Sequence, residues 1–485
     1  MNGYNLLETT LRDVLHVINP SREDWTIRFH IIDELRAVVE SIESLRGATV
    51  EPFGSFASNL FTRWGDLDIS IELPNGSYIS SPGKKHKQSL LGDVLKALSR
   101  KGGWRKLQFI SHARVPILKF DGRNNISCDI SINNLSGQMK SKLLFWINEI
   151  DGRFRDLVLL VKEWAKAHNI NDPKSGTMNS YSLSLLVVFH LQTLQPAILP
   201  PLREIYPGNM IDDLTGVRAV AEKRIEETCA VNINRIKSDR SRLINRSSMS
   251  ELFISFLAKF FEICSMASAQ GVSPYAGQLE DINSNMRWLP RTYALFVEDP
   301  FEQPANTART VGSNQLRKIL EAVRATHQVL ISSNQNQTSL VMNLIRPQIS
   351  HLVARMPVRH QAPSQSMPRA TPSSNHSRKG LGTHQHARRK QTHGQVQQQF
   401  QNTRVDNSRN GTMNGQLQNT RIDNSRNGTM NGQVQNTRIN NSQNGTMNGQ
   451  VQNMRVDNSR NGTMSGQVKA SPSQRQQVWR PTPER

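Results

Sequence analysis

The sequence predicts an α/β domain, then a mainly helical domain, and then a long tail that does not fold. Three observations lead to this prediction. Short segments rich in β-branched residues, bounded by Gly, Pro, Asp or Asn, fall within the first third of the chain. Longer segments with apolar residues at helical spacing lie on both sides of them. The last part is polar and repetitive, and 485 residues are enough for two or three domains.

The predicted α/β domain spans residues 47–141. One helix, residues 88–99, lies between its predicted strands, which cover residues 48–53, 67–73, 115–120 and 126–132. An amphipathic helix over residues 25–45 belongs to an N-terminal helical segment, residues 1–46, that we expect to pack on the helical domain. That domain is predicted over residues 142–335, and its clearest helices cover residues 154–167, 181–194, 251–266 and 315–331.

The tail, residues 356–485, carries most of the net charge. It holds 18 Lys and Arg against 4 Asp and Glu, a net charge of +14 out of +21 for the whole chain. A 17-residue unit occurs in it four times, beginning at Gln401, Gln418, Gln435 and Gln452. Each unit offers two or three apolar side chains, too little burial to offset an ordering cost of about 1–2 kcal/mol per residue. The sequence therefore predicts a disordered tail.

Composition narrows the class of protein. A net charge of +21 indicates an anionic polymer as partner, and a basic surface that serves only solubility is the alternative. The three scattered cysteines argue against a disulfide framework and a structural zinc site. The N-terminus lacks a signal-peptide pattern, and no apolar run reaches bilayer length. We therefore expect a soluble intracellular protein without a membrane partner.

The most informative pattern combines a Gly-Ser pair with three aspartates. Gly54 and Ser55 follow a predicted strand and open a helix, which presents backbone N–H groups and a hydroxyl to a phosphate. Asp66 and Asp68 alternate along the next strand, so both carboxylates leave the same face. Asp129, on a later strand, supplies a third carboxylate. Such carboxylates hold Mg²⁺ or Mn²⁺ against a nucleotide, and two metal ions stabilise the attacking and leaving oxygens of an in-line displacement.

Each part of this pattern also has a structural explanation. An Asp-x-Asp sequence alone occurs in solvated turns, and Asp129 is alternatively a charge on an edge strand. An unpaired aspartate among apolar neighbours is costly to bury, however, and metal ligation removes that cost. The Gly-Ser pair, the short gap to Asp66 and the aspartate on the later strand occur together, which favours a catalytic metal site.

With these residues the chain resembles the polymerase-beta-like nucleotidyltransferases of the non-canonical poly(A) polymerase and terminal uridylyltransferase type. The resemblance covers residues 25–335. Further signatures of the family follow in order, LLVKEWAK at residues 159–166, GTMNSYSL at 176–183 and VEDPFE at 297–302. The resemblance implies a polymerase-beta-like catalytic domain, a helical poly(A)-polymerase-associated domain, and metal-dependent nucleotide addition to RNA 3′ ends by Asp66, Asp68 and Asp129.

The resemblance also implies a set of nucleotide contacts. Tyr181 would stack on the base, which adds affinity without base choice, and it is alternatively an ordinary core aromatic. Two helical lysines would meet the triphosphate, and without the resemblance they are equally a solvated pair. Two acidic residues near Pro300 would face the base edge, or form an exposed turn. The full set comprises Gly54, Ser55, Asn134, Lys162, Lys166, Ser180, Tyr181, Asp299 and Glu302.

Two positions depart from the family pattern. Ala305 stands where uridylyltransferases of fungal and animal type often carry a His that disfavours adenine. Lys140 and Ser141 stand eleven and twelve residues after Asp129, where the family often has Asn-Thr and the Asn binds the ribose 2′-hydroxyl. Lys donates hydrogen bonds but does not accept them, so the basis of ribose discrimination is open.

Within the family, the chain further resembles the plant uridylyltransferases that tail unmethylated small RNAs. This implies UTP and the 3′ ends of microRNAs and siRNAs as substrates, uridylation that promotes their degradation, and Argonaute proteins as partners. It also implies a nuclear and cytoplasmic location that includes RNA granules. A poly(A) polymerase that uses ATP is the alternative within the class. A non-catalytic RNA-binding scaffold is the alternative outside it, against which the three intact aspartates argue.

Overall fold

The structure is a computed structural model that describes residues 3–73, 78–79, 83–288, 293–332 and 336–354, and the main chain of short strands between residues 400 and 465. The chain divides into two units, Met1–Pro363 and Ser364–Arg485. Two hydrophobic cores lie within the first unit, one beneath a β-sheet and one among helices. Across the described residues, no helix combines the length and apolar character needed to cross a bilayer.

The first part of the chain forms a five-stranded mixed sheet. The elements of this part are α1 (Gly3–Ile18), α2 (Arg22–Glu40), β1 (Thr49–Phe53), α3 (Gly54–Ala57), β2 (Leu67–Glu72), α4 (Lys84–Lys101), β3 (Arg105–Ile110), β4 (Ile117–Asp121) and β5 (Ser127–Ile132). The strands lie in the order β1-β2-β5-β4-β3, and β2 pairs with β5 in parallel while the other pairs are antiparallel. The four predicted strands correspond to β1, β2, β4 and β5.

Alternation along the central strands separates a core face from a functional face. The odd-numbered apolar residues of β2 and the even-numbered apolar residues of β4 and β5 are buried in one core with residues of α2 and α4. Successive side chains of a strand point to opposite faces, so the residues between them, Asp68, Lys119 and Asp129, leave the other face. The same hydrophobic pattern that builds the core therefore places these three charges side by side.

The N-terminal segment was predicted to pack on the helical domain, but its two helices belong to different cores. Leu7, Leu11 and Val14 of α1 do belong to the helical core. Ile31 and Leu35 of α2 belong instead to the core beneath the sheet. The prediction is therefore wrong for α2, because its apolar stripe covers the sheet that follows it in sequence.

The helical part begins with α5 (Leu135–Asn148), a helix that contains residues of both predicted domains. The predicted boundary after residue 141 falls inside α5, and the predicted end at residue 335 precedes two helices whose apolar residues complete the helical core. A two-stranded hairpin, β6–β7, also lies in this part. The elements are α5 (Leu135–Asn148), α6 (Arg153–Ala167), α7 (Ser180–Thr193), α8 (Met210–Asp213), α9 (Arg218–Ser238), α10 (Met249–Met266), β6 (Gln270–Ser273), β7 (Gln278–Asp281), α11 (Ser313–Ile331), α12 (Gln337–Leu344) and α13 (Pro347–Ala354).

The repeats contain short strands that pair in parallel with a 17-residue offset, so that Thr412 is opposite Thr429 and Arg421 is opposite Arg438. In these segments identical units pair their main chains, a contribution that the apolar content of the repeats does not measure. The remaining residues of the tail, including 356–399, lie outside the described residues. The strands are β8 (Phe400–Gln401), β9 (Arg404–Arg409), β10 (Thr412–Gln418), β11 (Arg421–Arg426), β12 (Thr429–Gln435), β13 (Arg438–Gln443), β14 (Thr446–Asn448), β15 (Val451–Gln452), β16 (Arg455–Arg460) and β17 (Thr463–Ser465).

Candidate active site

The three predicted catalytic aspartates lie at the centre of the sheet. Asp68 on β2 and Asp129 on β5 are register partners on adjacent parallel strands. Asp66 comes just before β2 and leaves the same face as Asp68. Lys119, on the neighbouring strand β4, is opposite Asp129, and its Nζ lies 3.0 Å from Asp129 Oδ1. Two adjacent strands and the loop before one of them thus gather three carboxylates around one lysine.

The charges of this cluster are only partly compensated. Burial, followed by the negative charges of Asp129 and Asp66, raises the pKa of Asp68 to about 7. Burial likewise raises the pKa of Asp66, although Lys119 opposes that effect. Burial lowers the pKa of Lys119, but its contacts with Asp129 outweigh this and raise the pKa overall. The cluster therefore holds more negative charge than its own lysine neutralises.

Gly54 brings the start of α3 directly against Asp68. Its φ of 67° lies in the left-handed region, and a Cβ at this position would collide with the Asp68 carboxylate. Its N–H donates to Ser141 Oγ over 2.7 Å, and that hydroxyl donates in turn to the carbonyl of Gly137. The Gly54 N–H, which was predicted to face a phosphate, is therefore used to join α3 to α5. Within the described residues the Ser55 hydroxyl makes no hydrogen bond, so it remains available to a phosphate.

A buried arginine that the sequence analysis missed supports the loop before Asp66. Arg28 of α2 is fully buried and lies over the ring of Phe61 at 4.7 Å. Its guanidinium donates to the carbonyls of Asp24, Arg63 and Gly65 at distances of 2.9, 3.0 and 2.6 Å. Because Gly65 immediately precedes Asp66, these bonds fix the main chain from which the Asp66 carboxylate extends.

The two lysines of α6 lie in different environments. Lys162 is buried, and its Nζ donates to the carbonyl of Leu60 at 2.8 Å. Burial, followed by the like charge of Lys166, lowers the pKa of Lys162 to about 7. Lys162 thus supports the loop that leads to Asp66. Lys166 is only partly buried and has no hydrogen-bond partner among the described residues, so it is the better placed of the two to meet a phosphate.

A second cluster joins α5, α7 and the segment after Val297. Lys140 Nζ lies 2.5 Å from Asp299 Oδ2 and 2.8 Å from Glu302 Oε2, and 5.5 Å from the centroid of the Tyr181 ring. The Tyr181 hydroxyl donates to the other oxygen of Asp299 at 3.1 Å. Glu302 also accepts from Ser136. The structure thus brings together three of the predicted nucleotide contacts, with Lys140 at their centre.

The remaining predicted contacts have structural partners of their own. Asn134 caps α5, where its side-chain oxygen accepts from the N–H of Gly137 at 3.2 Å. Ser180, the first residue of α7, donates to Asn171 at 3.2 Å. Asn306, which the sequence analysis did not predict as functional, shapes the acidic segment. Its side-chain oxygen accepts from two main-chain N–H groups and its amide donates to a third main-chain group.

The carboxylate cluster fits a hard divalent cation, although the protein does not supply a complete cage. In the part of the chain that the structure describes, no group of three or more His, Cys, Asp and Glu side chains is arranged to hold a metal ion. Mg²⁺ needs few protein ligands, however, because it retains waters and binds substrate phosphates. Oxygen donors that are buried and mutually repelling, as the raised pKa of Asp68 shows, are the donors that such a cation would stabilise.

The mixed sheet, the paired aspartates on its central strands and the helical domain beside them define a nucleotidyltransferase. The central palm domain of mitochondrial-like poly(A) RNA polymerases matches residues 7–149. Protein HESO1 of Arabidopsis thaliana is 57% identical over 366 residues, which cover 75% of this chain and 71% of that protein. Poly(A) RNA polymerase cid11 of Schizosaccharomyces pombe is 26% identical over 65% of this chain, which spans 61% of that protein.

Solved structures share the fold. The structure of a cytoplasmic RNA terminal U-transferase superposes with a TM-score of 0.55 at 23% identity, over 70% of this chain and 99% of that one. A crystal structure of mtPAP in complex with UTP gives a TM-score of 0.54 at 20% identity, over 72% of each chain. The chain belongs to the family of non-canonical poly(A) polymerases and terminal uridylyltransferases.

Proposed function

We propose that the protein is a template-independent RNA uridylyltransferase that adds uridines from UTP to the 3′ ends of unmethylated microRNAs and siRNAs and so promotes their degradation. The observation that carries the transferase activity is the partly uncompensated cluster of Asp66, Asp68 and Asp129 beside the start of α3. The choice of UTP and small RNA rests on the resemblance to the plant uridylyltransferases.

In the proposed reaction, the RNA 3′-hydroxyl attacks the α-phosphorus of UTP and pyrophosphate leaves. Mg²⁺ or Mn²⁺, held by Asp66, Asp68 and Asp129, would supply charge stabilisation to the reacting oxygens. Lys119 holds the Asp129 carboxylate in position through their 3.0 Å contact. Lys166, Ser55 and Ser180 supply a charge and hydroxyls for the triphosphate, and Tyr181 supplies a surface on which the base stacks.

The test is to incubate the purified full-length protein with end-labelled small RNA and each NTP alone, and then with equal UTP and ATP. We expect extension with UTP, and mainly uridines from the mixture. A folded Asp66→Ala, Asp68→Ala variant serves as the control for contaminating transferases. If the mixture gives mainly adenosines, the poly(A) polymerase alternative is correct. The similarity to cid11, which is named a poly(A) RNA polymerase, is the reason for including this comparison.

A second measurement addresses the RNA. A pair of otherwise identical small RNAs, one with a 3′-terminal 2′-hydroxyl and one with a 2′-O-methyl group, should differ in their rate of extension. We expect faster extension of the unmethylated RNA, and equal rates would contradict the proposed substrate. We further propose Argonaute-bound RNA as a substrate, and a nuclear and cytoplasmic location that includes RNA granules. Extension of small RNA within a purified Argonaute complex, and imaging of a fluorescent fusion, test these two points.

A further inference from the structure

Lys140 has contacts that a lysine kept only for solubility would not have. Its side chain is 16% exposed, and its ammonium lies between the carboxylates of Asp299 and Glu302. Asp299 is itself 5% exposed, so this is a desolvated ion pair. Burial raises the pKa of Glu302, but the charge and hydrogen bond of Lys140 outweigh this and lower the pKa overall. Both contacts reach across more than 150 residues of sequence, from α5 to the acidic segment that the family resemblance predicts to face the base.

The chemistry of base edges makes this pairing informative. Carboxylates only accept hydrogen bonds, so Asp299 and Glu302 alone would bind any base edge that offers an N–H group. Adenine and cytosine present an exocyclic amino donor where uracil presents its O4 carbonyl, but uracil also offers the N3–H donor. The acidic pair alone therefore does not select uracil, and Ala305 offers no imidazole to do so.

Lys140 supplies a contact that does discriminate between the bases. An ammonium has three N–H groups and no acceptor. Two of them are directed at the Asp299 and Glu302 carboxylates, which leaves one N–H for a further acceptor, and Nζ lies over the Tyr181 ring at 5.5 Å from its centroid. A base stacked on Tyr181 would lie with its edge beside this remaining donor. A carbonyl oxygen can accept from it, whereas an amino group would meet a second donor.

We propose that Lys140 is a specificity-determining residue that selects uracil over adenine and cytosine by donating a hydrogen bond to the O4 carbonyl of uracil. The inference rests on the proposed use of UTP. Guanine carries both a carbonyl and an amino group, so this contact does not by itself separate uracil from guanine. Asp299 and Glu302 then act as positioning residues, because they hold the ammonium in place rather than bind the base directly.

The experiment compares kcat/KM for UTP, ATP and CTP in the wild type and in Lys140→Met, Lys140→Gln and Lys140→Arg. We expect Lys140→Met to lower the UTP-to-ATP and UTP-to-CTP ratios by about 10- to 100-fold, the range for losing a hydrogen bond from a charged donor. Lys140→Gln, whose amide can also accept, should lower both ratios, and Lys140→Arg should retain most of the preference. Lys142→Gln is the matched control, since Lys142 lies two residues further along α5 in a more exposed pair with Glu226.

A purely structural role would give a different result. If Lys140 only anchored the acidic segment to α5, Lys140→Met would lower kcat/KM for all nucleotides equally, and unchanged ratios would overturn the inference. Wild-type protein offers a test that is independent of variant folding. 4-thio-UTP, in which sulfur replaces the O4 carbonyl oxygen, should be used less well than UTP, whereas 2-thio-UTP serves as the control. Use of 4-thio-UTP as well as UTP would contradict the proposal. Preference of the wild type for ATP would instead refute the proposed function itself.

Discussion

The two ends of the active site hold charge in opposite ways. At the sheet, three aspartates are gathered around one paired lysine, and burial, followed by their mutual repulsion, raises the pKa of Asp68 to about 7. At the end where we propose that the base binds, the base end, Lys140 is bonded to both Asp299 and Glu302, and the pKa of Glu302 is lowered. The negative charge at the sheet end is thus only partly compensated by the protein, whereas the base end carries its own cation. We propose that the first binds a metal ion and that the second presents a directed donor.

The largest effect is expected from removing two of the three aspartates at the sheet end. We expect Asp66→Ala with Asp68→Ala to lower nucleotide addition by at least about a thousandfold, because the charge stabilisation of the reacting oxygens is lost. The fold should survive, and in EDTA the melting temperature of the variant should equal or exceed that of the wild type, since the substitution removes repulsion between buried carboxylates. RNA extension and thermal melting with and without Mg²⁺ measure both effects.

Mg²⁺ provides the control for this pair of measurements. It should raise the melting temperature of the wild type and not that of the double variant, because binding to the folded state alone stabilises it. Full activity in the folded double variant, or equal stabilisation of both proteins by Mg²⁺, would refute the assignment of these aspartates as metal ligands.

The next effect tests whether the geometry of the sheet end depends on Arg28. We expect Arg28→Met to remove the hydrogen bonds to Asp24, Arg63 and Gly65 and to lower the free energy of unfolding by about 2–4 kcal/mol. Nucleotide addition at saturating UTP should fall about tenfold or more, as Asp66 loses its fixed position. Arg36→Met is the matched control on the same helix, because Arg36 is exposed and, among the residues that the structure describes, pairs only with Asp33. Equal effects of the two substitutions would contradict the positioning role.

His190 is a buried histidine that belongs to neither charge cluster of the active site. It therefore allows a test of protein stability that does not depend on catalysis. Burial, followed by the charge of Lys259, lowers the pKa of His190 from 6.5 to about 4. The unfolded chain therefore takes up a proton first as the pH falls below 6.5, so His190 costs stability progressively between pH 6.5 and 4, by up to about 3 kcal/mol. We expect His190→Gln to flatten this part of the pH dependence in chemical denaturation. An unchanged slope would show that His190 is protonated in the fold.

The sequence was sufficient for the parts of the site that depend on local pattern. Alternation along a strand placed Asp66 and Asp68 on one face, and the same alternation could have identified Lys119, which lies between buried Leu118 and Phe120. It was not sufficient where distant segments meet. The contact of Lys140 with the acidic segment spans 159 residues, so it requires the folded chain. Asn134 matched a family position near the base, yet its side chain caps a helix, a role that sequence position alone does not distinguish.

The residues of the base end and the sheet end all precede the basic tail in sequence, and we therefore expect a small effect for the tail. Residues 356–485 carry a net charge of +14, so we expect them to raise the local concentration of RNA through phosphate contacts, without contributing to the chemistry. Deleting them should leave single-nucleotide addition unchanged at saturating RNA, and reduce it several-fold at low RNA and low salt. The difference should vanish as salt rises, because released counterions drive this kind of binding. A variant with the same tail length but with its Lys and Arg replaced by Gln separates charge from length and should behave like the deletion. If the deletion abolished activity at saturating RNA, the tail would belong to the folded enzyme; if the neutral tail restored full activity at low salt, the tail would act through its length or its repeats and not through its charge.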